Sequence, residues 1–403
     1  MSKINISPRI STLPLSAVRK LVPYANETKK KGVLIYHLNI GDPDIKTPEA
    51  MLKVLKQWQI NPIGYAPGIG EPIFLDALLT YYHRLGQIFV KKEDLIATIG
   101  GSEAVAMALF AVTSQGDEVL VFEPFYSGYL PPAHLFGVKL VAVPTRIQDG
   151  FHLPPKKTIE SKITAKTKAV LFCTPGNPTG TVYTRQEMKM LVALAKKRGL
   201  FLISDEVYRE FIFVNRSHVS LLEFMTQIPD QAILVDSLSK RYSLCGARLG
   251  VLLSLNKAVI KGVSIMAQGR LSGGLIDQHL AAKLIDVPHS YISAIQKEYR
   301  KRRDFLYEGL LSIPGVTMTK PEGAFYCMVS LPVKNAEQFC IWLLTHFRDN
   351  NETVMLAPGA GFYITPGQGK NEVRIAYVLK ISQLKRCIQI IAQALSAYNT
   401  QVM

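Results

Sequence analysis

Cysteine is scarce in this chain. There are five, Cys173, Cys245, Cys327, Cys340 and Cys387, an odd number, widely spaced and with no CxxC among them. That excludes a disulfide-built scaffold and a paired-cysteine zinc site, and it points to reduced thiols in a cytoplasmic protein. Long hydrophobic runs are missing too. The longest uncharged apolar stretch, Ala104–Val112, falls far short of the ~20 residues that span a bilayer, so no membrane partner is expected. The opening MSKINISPRI has no apolar h-region, so no signal peptide is expected. Repeats, low-complexity tracts and Gly/Ser linkers are absent. With 48% apolar and 19% charged residues, the chain is neither collagen-like nor disordered. Acid is the minority charge, 31 Asp+Glu against 47 Lys+Arg, for a formal +16. The basic residues fall in short runs such as Lys29–Lys31, Lys196–Arg198 and Arg300–Arg303, without a helix-turn-helix, zinc-finger or RNP-type aromatic pattern. They read as solvated helix faces, so no nucleic acid is expected, while a basic field also concentrates anionic small molecules.

At roughly 100–200 residues per domain, this length suggests two domains or one large α/β unit. The middle of the chain alternates apolar runs with helical patterns. Candidate strands are Glu118–Phe122, Lys139–Val143, Ala169–Cys173, Leu200–Ser204, Ala232–Asp236 and Leu249–Ser254. Continuous apolar runs of this kind suit strands buried on both faces. Helices are expected over Ser102–Thr113 and Arg185–Arg198, the second opened by a Thr184/Glu187 capping box. The alternation implies an α/β fold with a largely parallel sheet. The last third changes character: a long charged helix over Tyr291–Leu311, short runs at Ala324–Val329, Thr353–Leu356 and Glu372–Tyr377, then a helix from Ser382 to Tyr398. This α+β part forms a second domain, joined by the N-terminal segment with its Leu34–Leu38 strand. The division is 46–295 for the large domain, and 1–45 with 296–403 for the small one.

Ligands of open α/β sheets bind beyond the carboxyl ends of the strands. Three consecutive strand ends here deliver Thr174-Pro-Gly-Asn-Pro-Thr-Gly180, then Asp205-Glu-Val-Tyr208, then Ser237-Leu-Ser-Lys240. An amide, a carboxylate with a phenol, and two hydroxyls with an amine thus converge on one sheet edge. Gly100-Gly101-Ser102 opens a helix, where free backbone N–H groups and the helix dipole make an anion site.

These motifs, in this order and spacing, resemble the class I aminotransferases, pyridoxal-phosphate enzymes of fold type I, and most closely their aspartate aminotransferase branch. The resemblance runs from Pro14 to the last helix, carried by TPGNPTG, SDEVY and SLSKRYSLCGARLG. Asn177 to Asp205 is 28 residues and Asp205 to Lys240 is 35, as in the family. It implies a large cofactor-binding domain with a mostly parallel seven-stranded sheet between helices, plus a smaller α+β domain. It also implies pyridoxal 5′-phosphate as cofactor, with Lys240 as the Schiff-base lysine and proton shuttle, a task that calls for an amine of depressed pKa. Asp205 would pair with the pyridinium nitrogen, Asn177 and Tyr208 with the phenolate oxygen. Gly101, Ser102, Ser237, Ser239 and Arg248 would surround the phosphate, Tyr126 would stack on the ring, and Tyr65 would reach the partner subunit's phosphate in a homodimer with shared active sites. Arg374 would hold the substrate α-carboxylate as a bidentate fork, with Gly41 leaving room for it.

The substrates implied are an amino acid and a 2-oxo acid exchanging an amino group by a ping-pong mechanism, with aspartate or glutamate and 2-oxoglutarate leading. The family's lysine after the glycine pair is replaced by Ser102, so the distal carboxylate falls to Arg270, two residues from where the family's partner-subunit arginine would lie, or to Arg19 near the entrance. An aromatic amino acid aminotransferase is the alternative, followed by a pyridoxal-phosphate lyase acting at Cβ or Cγ. No metal is implied. The SxxK in Ser237–Lys240 lacks the KTG and SDN partners of serine penicillin-binding enzymes. Gly68-Ile-Gly-Glu-Pro-Ile73 lacks the third glycine of a dinucleotide fingerprint.

Overall fold

A computed structural model describes residues 6–13 and 16–402; Pro14, where the resemblance begins, lies outside the described residues. The strands in chain order are β1 (Leu34–His37), β2 (Leu95–Thr98), β3 (Glu118–Glu123), β4 (Lys139–Pro144), β5 (Thr167–Cys173) and β6 (Phe201–Asp205). They continue with β7 (Ala232–Ser237), β8 (Gly250–Ser254), β9 (Tyr326–Ser330), β10 (Glu352–Met355), β11 (Ala357–Pro358) and β12 (Glu372–Ala376).

Seven of them form the large sheet, ordered β2-β8-β7-β6-β5-β3-β4. β8 runs antiparallel to both neighbours and every other pair is parallel. The period-two geometry of strands sorts their apolar residues onto two covered faces. Leu120, Val170, Leu202 and Leu234 enter one core, and Val119, Val121, Ala169, Ile203, Ile233 and Val235 the other. Burial on both faces is why these segments read as unbroken apolar runs. Between β5 and β6, helix Arg185–Arg198 has the expected capping box, with Thr184 Oγ accepting from the Glu187 amide, and Gly199 closes it in the left-handed conformation. β2 is a strand the sequence pattern does not announce. It has four residues, pairs with β8 at the sheet edge, and is recognisable once its partner is in place.

The smaller part holds a parallel pair, β1 with β10, and an antiparallel sheet, β11-β12-β9. Their apolar residues, among them Val354 and Ile375, share a core with helices Ala336–Thr345 and Ile381–Val402 through Phe339, Leu343, Leu384 and Ile391. Helix His289–Leu311 spans both parts: Ile292 packs on the large-sheet core, Tyr291 on both, and Ile295 onward lies in the small one. Ile45 packs on the small core and Met51 in the large. We therefore propose the division at 45/46 and 295/296. Tyr208, Phe211 and Phe213 cross it to enter the small core.

The carboxyl ends of β5, β6 and β7 lie in register, Cys173 beside Asp205 and Asp205 beside Val235. The polar segments that follow these strands therefore leave the sheet side by side.

Candidate active site

A cavity of about 600 Å³ opens at that edge. Thirteen of the fifteen residues singled out from the sequence line it: Arg19 and Gly41 from the N-terminal segment; Gly101, Ser102 and Tyr126 after β2 and β3; Asn177, Asp205, Tyr208, Ser237, Ser239, Lys240 and Arg248 around β5–β8; and Arg374 on β12. Tyr65 and Arg270 do not. Tyr65 stands 83% exposed on the surface. Arg270 donates to Glu103 (3.0 Å) and to the Ala97 carbonyl (2.7 Å).

One end is built for an oxyanion. Helix Gly100–Val112 begins there with no side-chain cap, so its first amides face the cavity through Gly101 and Ser102. Gly100 has φ +73°, and a Cβ on it would come within 2.6 Å of the Arg248 guanidinium. The Arg248 backbone is left-handed (φ 52°) and its Nη1 donates to the Cys245 carbonyl at 3.0 Å, aiming the fork at the cavity. Ser237 caps the short helix Leu238–Arg241, and its hydroxyl lies 2.9 Å from that of Ser239. Amides, two hydroxyls and a guanidinium thus surround one pocket.

In the middle stands Asp205, buried, accepting from Tyr129 Oη (2.8 Å) and the Val207 amide (3.3 Å). Burial pushes its carboxyl up to about 6, with Asp236 and Glu206 adding to the shift and the two donors opposing it. No cation partners it among the described residues. Opposite, Lys240 Nζ donates to the Gly41 carbonyl (2.7 Å) and to Cys245 Sγ (3.6 Å). Its pKa corrects the expectation of a depressed amine. Burial does push it down, but Tyr326, Cys245 and Tyr126 outweigh that and hold it above its ordinary value. The phenols and thiol around the amine thus favour its charged form more than burial penalises it.

At the far end Arg374 is 2% exposed. It donates to Asn177 Oδ1 (3.0 Å) and the Asn39 carbonyl (2.5 Å), and its Nε has no partner among the described residues. The guanidinium lies between the rings of Tyr326 and Phe362, 4.4 and 4.9 Å from their centres. No carboxylate pairs with it among the described residues. Tyr326 Oη hydrogen-bonds Tyr208 Oη at 3.2 Å, and a Cβ on Gly41 would sit 1.9 Å from that oxygen, so the backbone passes there only as glycine.

Tyr129, Tyr326 and Cys245 belong to this site and sequence reasoning missed them. Each is embedded in a run that reads as core or turn, and the only signal was proximity to a motif. The donor set fits pyridoxal 5′-phosphate. A dianion pocket, a buried acid awaiting a cation and an amine face one another, and an unpaired guanidinium stands beyond them.

The chain matches the aminotransferase class I and II family over residues 35–391. It is 29% identical to a probable aspartate/prephenate aminotransferase of Aquifex aeolicus, over 97% of this chain and 98% of that one. A solved aspartate aminotransferase from Thermotoga maritima superposes with a TM-score of 0.87 at 29% identity, covering 97% of this chain and 100% of the other. A solved alanine aminotransferase from Pyrococcus furiosus gives 0.87 at 28% identity, covering 98% and 100%.

Proposed function

The chain belongs to the aminotransferase class I and II family, and we propose that it moves the amino group of aspartate or glutamate to 2-oxoglutarate by ping-pong exchange. The observation that carries this reading is Arg374, a buried guanidinium without a counter-charge, at one end of a cavity lined by four cations (Arg19, Lys240, Arg248, Arg374) and one carboxylate (Asp205). Such a field favours anionic ligands beyond a bound phosphate. Relatives named for aspartate support the donor; the alanine enzyme at the same TM-score marks the fold as neutral on this point. An aromatic donor is the second reading, favoured by the neutral Ser102 at the cavity wall.

When bound, pyridoxal phosphate supplies an electron sink for the carbanion at the substrate Cα. The chain's residues prepare that step. Gly101, Ser102, Ser237, Ser239 and Arg248 hold the phosphate. Asp205, with an acidity near 6 that a cationic neighbour would lower, keeps a proton on the ring nitrogen. Arg374 fixes the α-carboxylate by two parallel hydrogen bonds, and Asn177, already on its Nη1, orients both it and the ring oxygen. Tyr208, whose hydroxyl now donates to Tyr326 Oη, would donate to the ring oxygen. Lys240 would move the proton taken from the substrate Cα, and Tyr126 would cover the ring and exclude water.

The site is completed in a homodimer. Tyr65 is 83% exposed, and Ile63, Ile265 and Leu271 are each at least 59% exposed. Gly68 lies against the Leu271 carbonyl, where a Cβ would come to 3.0 Å, which brings the segments carrying Tyr65 and Leu271 together, and exposed apolar side chains of this kind suit a second copy.

The test mixes the loaded enzyme with single amino acids, without an oxo acid, and follows the visible absorption of the bound cofactor. Fast loss with aspartate and glutamate is expected. Fast loss with phenylalanine, tyrosine or other neutral donors alone would overturn the donor assignment.

A further inference from the structure

We infer that Cys245 is a positioning residue for the proton-transferring lysine, its thiol holding Lys240 Nζ in both protonation states. The inference rests on the proposed role of Lys240 and not on the identity of the donor.

Lys240 Nζ has two hydrogen-bond partners, the Gly41 carbonyl at 2.7 Å and Cys245 Sγ at 3.6 Å. A carbonyl only accepts, so it serves the amine only as a donor. The thiol both donates and accepts. Its S–H has an alternative acceptor of its own, the Ser239 carbonyl at 3.2 Å. While Lys240 is an ammonium, the S–H points to Ser239 and a sulfur lone pair receives the N–H. When the amine is neutral, its two N–H groups still donate to the Gly41 carbonyl and to a sulfur lone pair, which leaves the nitrogen lone pair free to take the Cα proton. The reacting proton passes from Cα to nitrogen and back to the acceptor carbon; the thiol proton stays on sulfur throughout, so nothing is consumed.

Two further observations fit this role. Burial raises the Cys245 thiol above its usual range, more than the neighbouring Lys240 ammonium lowers it, and a hydrogen bond with Asp42 adds to the rise, so the group is a thiol and not a thiolate. The same residue's carbonyl accepts from Arg248 Nη1 at 3.0 Å, which ties the amine's resting place to the anion pocket through one rigid turn, Cys245–Ala247.

Cys245→Ala and Cys245→Ser are compared with wild type and Lys240→Ala, using whichever donor reacts best. Cys245→Ala is expected to lower kcat about three- to tenfold, the range one hydrogen bond supplies, with KM within twofold and a larger Cα-deuterium isotope effect. Cys245→Ser, which keeps a rotating donor–acceptor, is expected to recover kcat to within about threefold of wild type. In the apoprotein, labelling of Cys245 by a thiol reagent, read on its peptide by mass spectrometry, is expected to shift to higher pH in Lys240→Ala. Unchanged kcat and isotope effect in Cys245→Ala, or a raised KM without an isotope effect, would overturn the inference. So would a labelling profile indifferent to Lys240. Full activity in Lys240→Ala would instead overturn the role of the lysine, a separate result.

Discussion

Replacing Arg374 by methionine separates what this side chain does for binding from what it does for folding. A buried arginine in a stable protein ordinarily sits against an acid, and removing it costs about 3–5 kcal/mol because the acid is left uncompensated. Arg374 leaves no acid behind. Its losses are two neutral acceptors, Asn177 Oδ1, which faces the cavity and can be hydrated, and the Asn39 carbonyl. Its gain is the removal of a desolvated charge whose Nε is unpartnered. Methionine matches the length of the slot between Tyr326 and Phe362 and makes favourable sulfur–ring contacts. The unfolding free energy of the apoprotein is therefore expected to stay within about 1 kcal/mol of wild type, since the saved desolvation offsets the lost hydrogen bonds. Arg241→Met is the control. Arg241 is equally buried but pairs with buried Asp236, so its loss is expected to cost about 3–5 kcal/mol. Binding should behave in the opposite way. A desolvated, doubly hydrogen-bonded carboxylate partner is worth about 2–5 kcal/mol, so kcat/KM for every amino acid should fall roughly 30- to several-thousand-fold. Denaturant unfolding and steady-state kinetics read the two quantities. Destabilisation of Arg374→Met comparable to that of Arg241→Met would refute the reasoning, as would a kinetic loss confined to dicarboxylates.

Two further outcomes follow from the charges. Asp205 holds its proton to about 6 when folded against 3.8 ordinarily, so the folded apoprotein binds more protons than the unfolded chain in that window. Stability therefore falls as pH rises from about 4 to about 6, by up to about 3 kcal/mol for a two-unit shift. Asp205→Asn should remove this fall, and a stability difference between the two proteins that does not change with pH would contradict the assignment. Arg19→Gln should raise KM for aspartate and glutamate by about tenfold or less, because an exposed cation is partly screened, and leave neutral donors unaffected; equal effects on all donors would exclude Arg19 from the distal carboxylate.

What was legible in the sequence was whatever a short segment decides by itself. β5, β6 and β7 are covered on both faces, so they appear as apolar runs, and the polar residues that end them stand out: Asn177, Asp205, Lys240. The Thr184/Glu187 cap is a four-residue device and was read to the residue. What stayed hidden depends on contacts across the chain. Tyr326 lies in Gly-Ala-Phe-Tyr-Cys-Met, which reads as core strand. Only the approach of Gly41 and Arg374, from opposite ends of the sequence, makes it part of the site. The raised pKa of Lys240 was invisible for the same reason. Burial can be anticipated from a motif, but the phenols and thiol that outweigh it come from Tyr326, Tyr126 and Cys245.

The same distinction bears on the second carboxylate of a dicarboxylic substrate. Arg270 stood as a candidate because Ser102 replaces the family's lysine, and its acidic partner lies 167 residues away in the sequence. Folded, its Nε donates to Glu103 and its Nη2 to the Ala97 carbonyl. Glu103 in turn accepts from the Ile99 amide at 2.6 Å, and so fixes the turn from which Gly100 and Gly101 open the anion-binding helix. Withdrawing Arg270 to meet a substrate would leave that carboxylate without its cation beside the phosphate pocket, a cost borne by the very site it would serve. Arg270 thus belongs to the scaffold of the phosphate end. Arg19 carries no such commitment: it lines the cavity mouth, exposed, in a segment that reaches the site from the small-domain side. A cation from that side serves the substrate without drawing on the phosphate pocket. Dicarboxylate preference in this chain would then be set by Arg19, and not by a charge at Ser102.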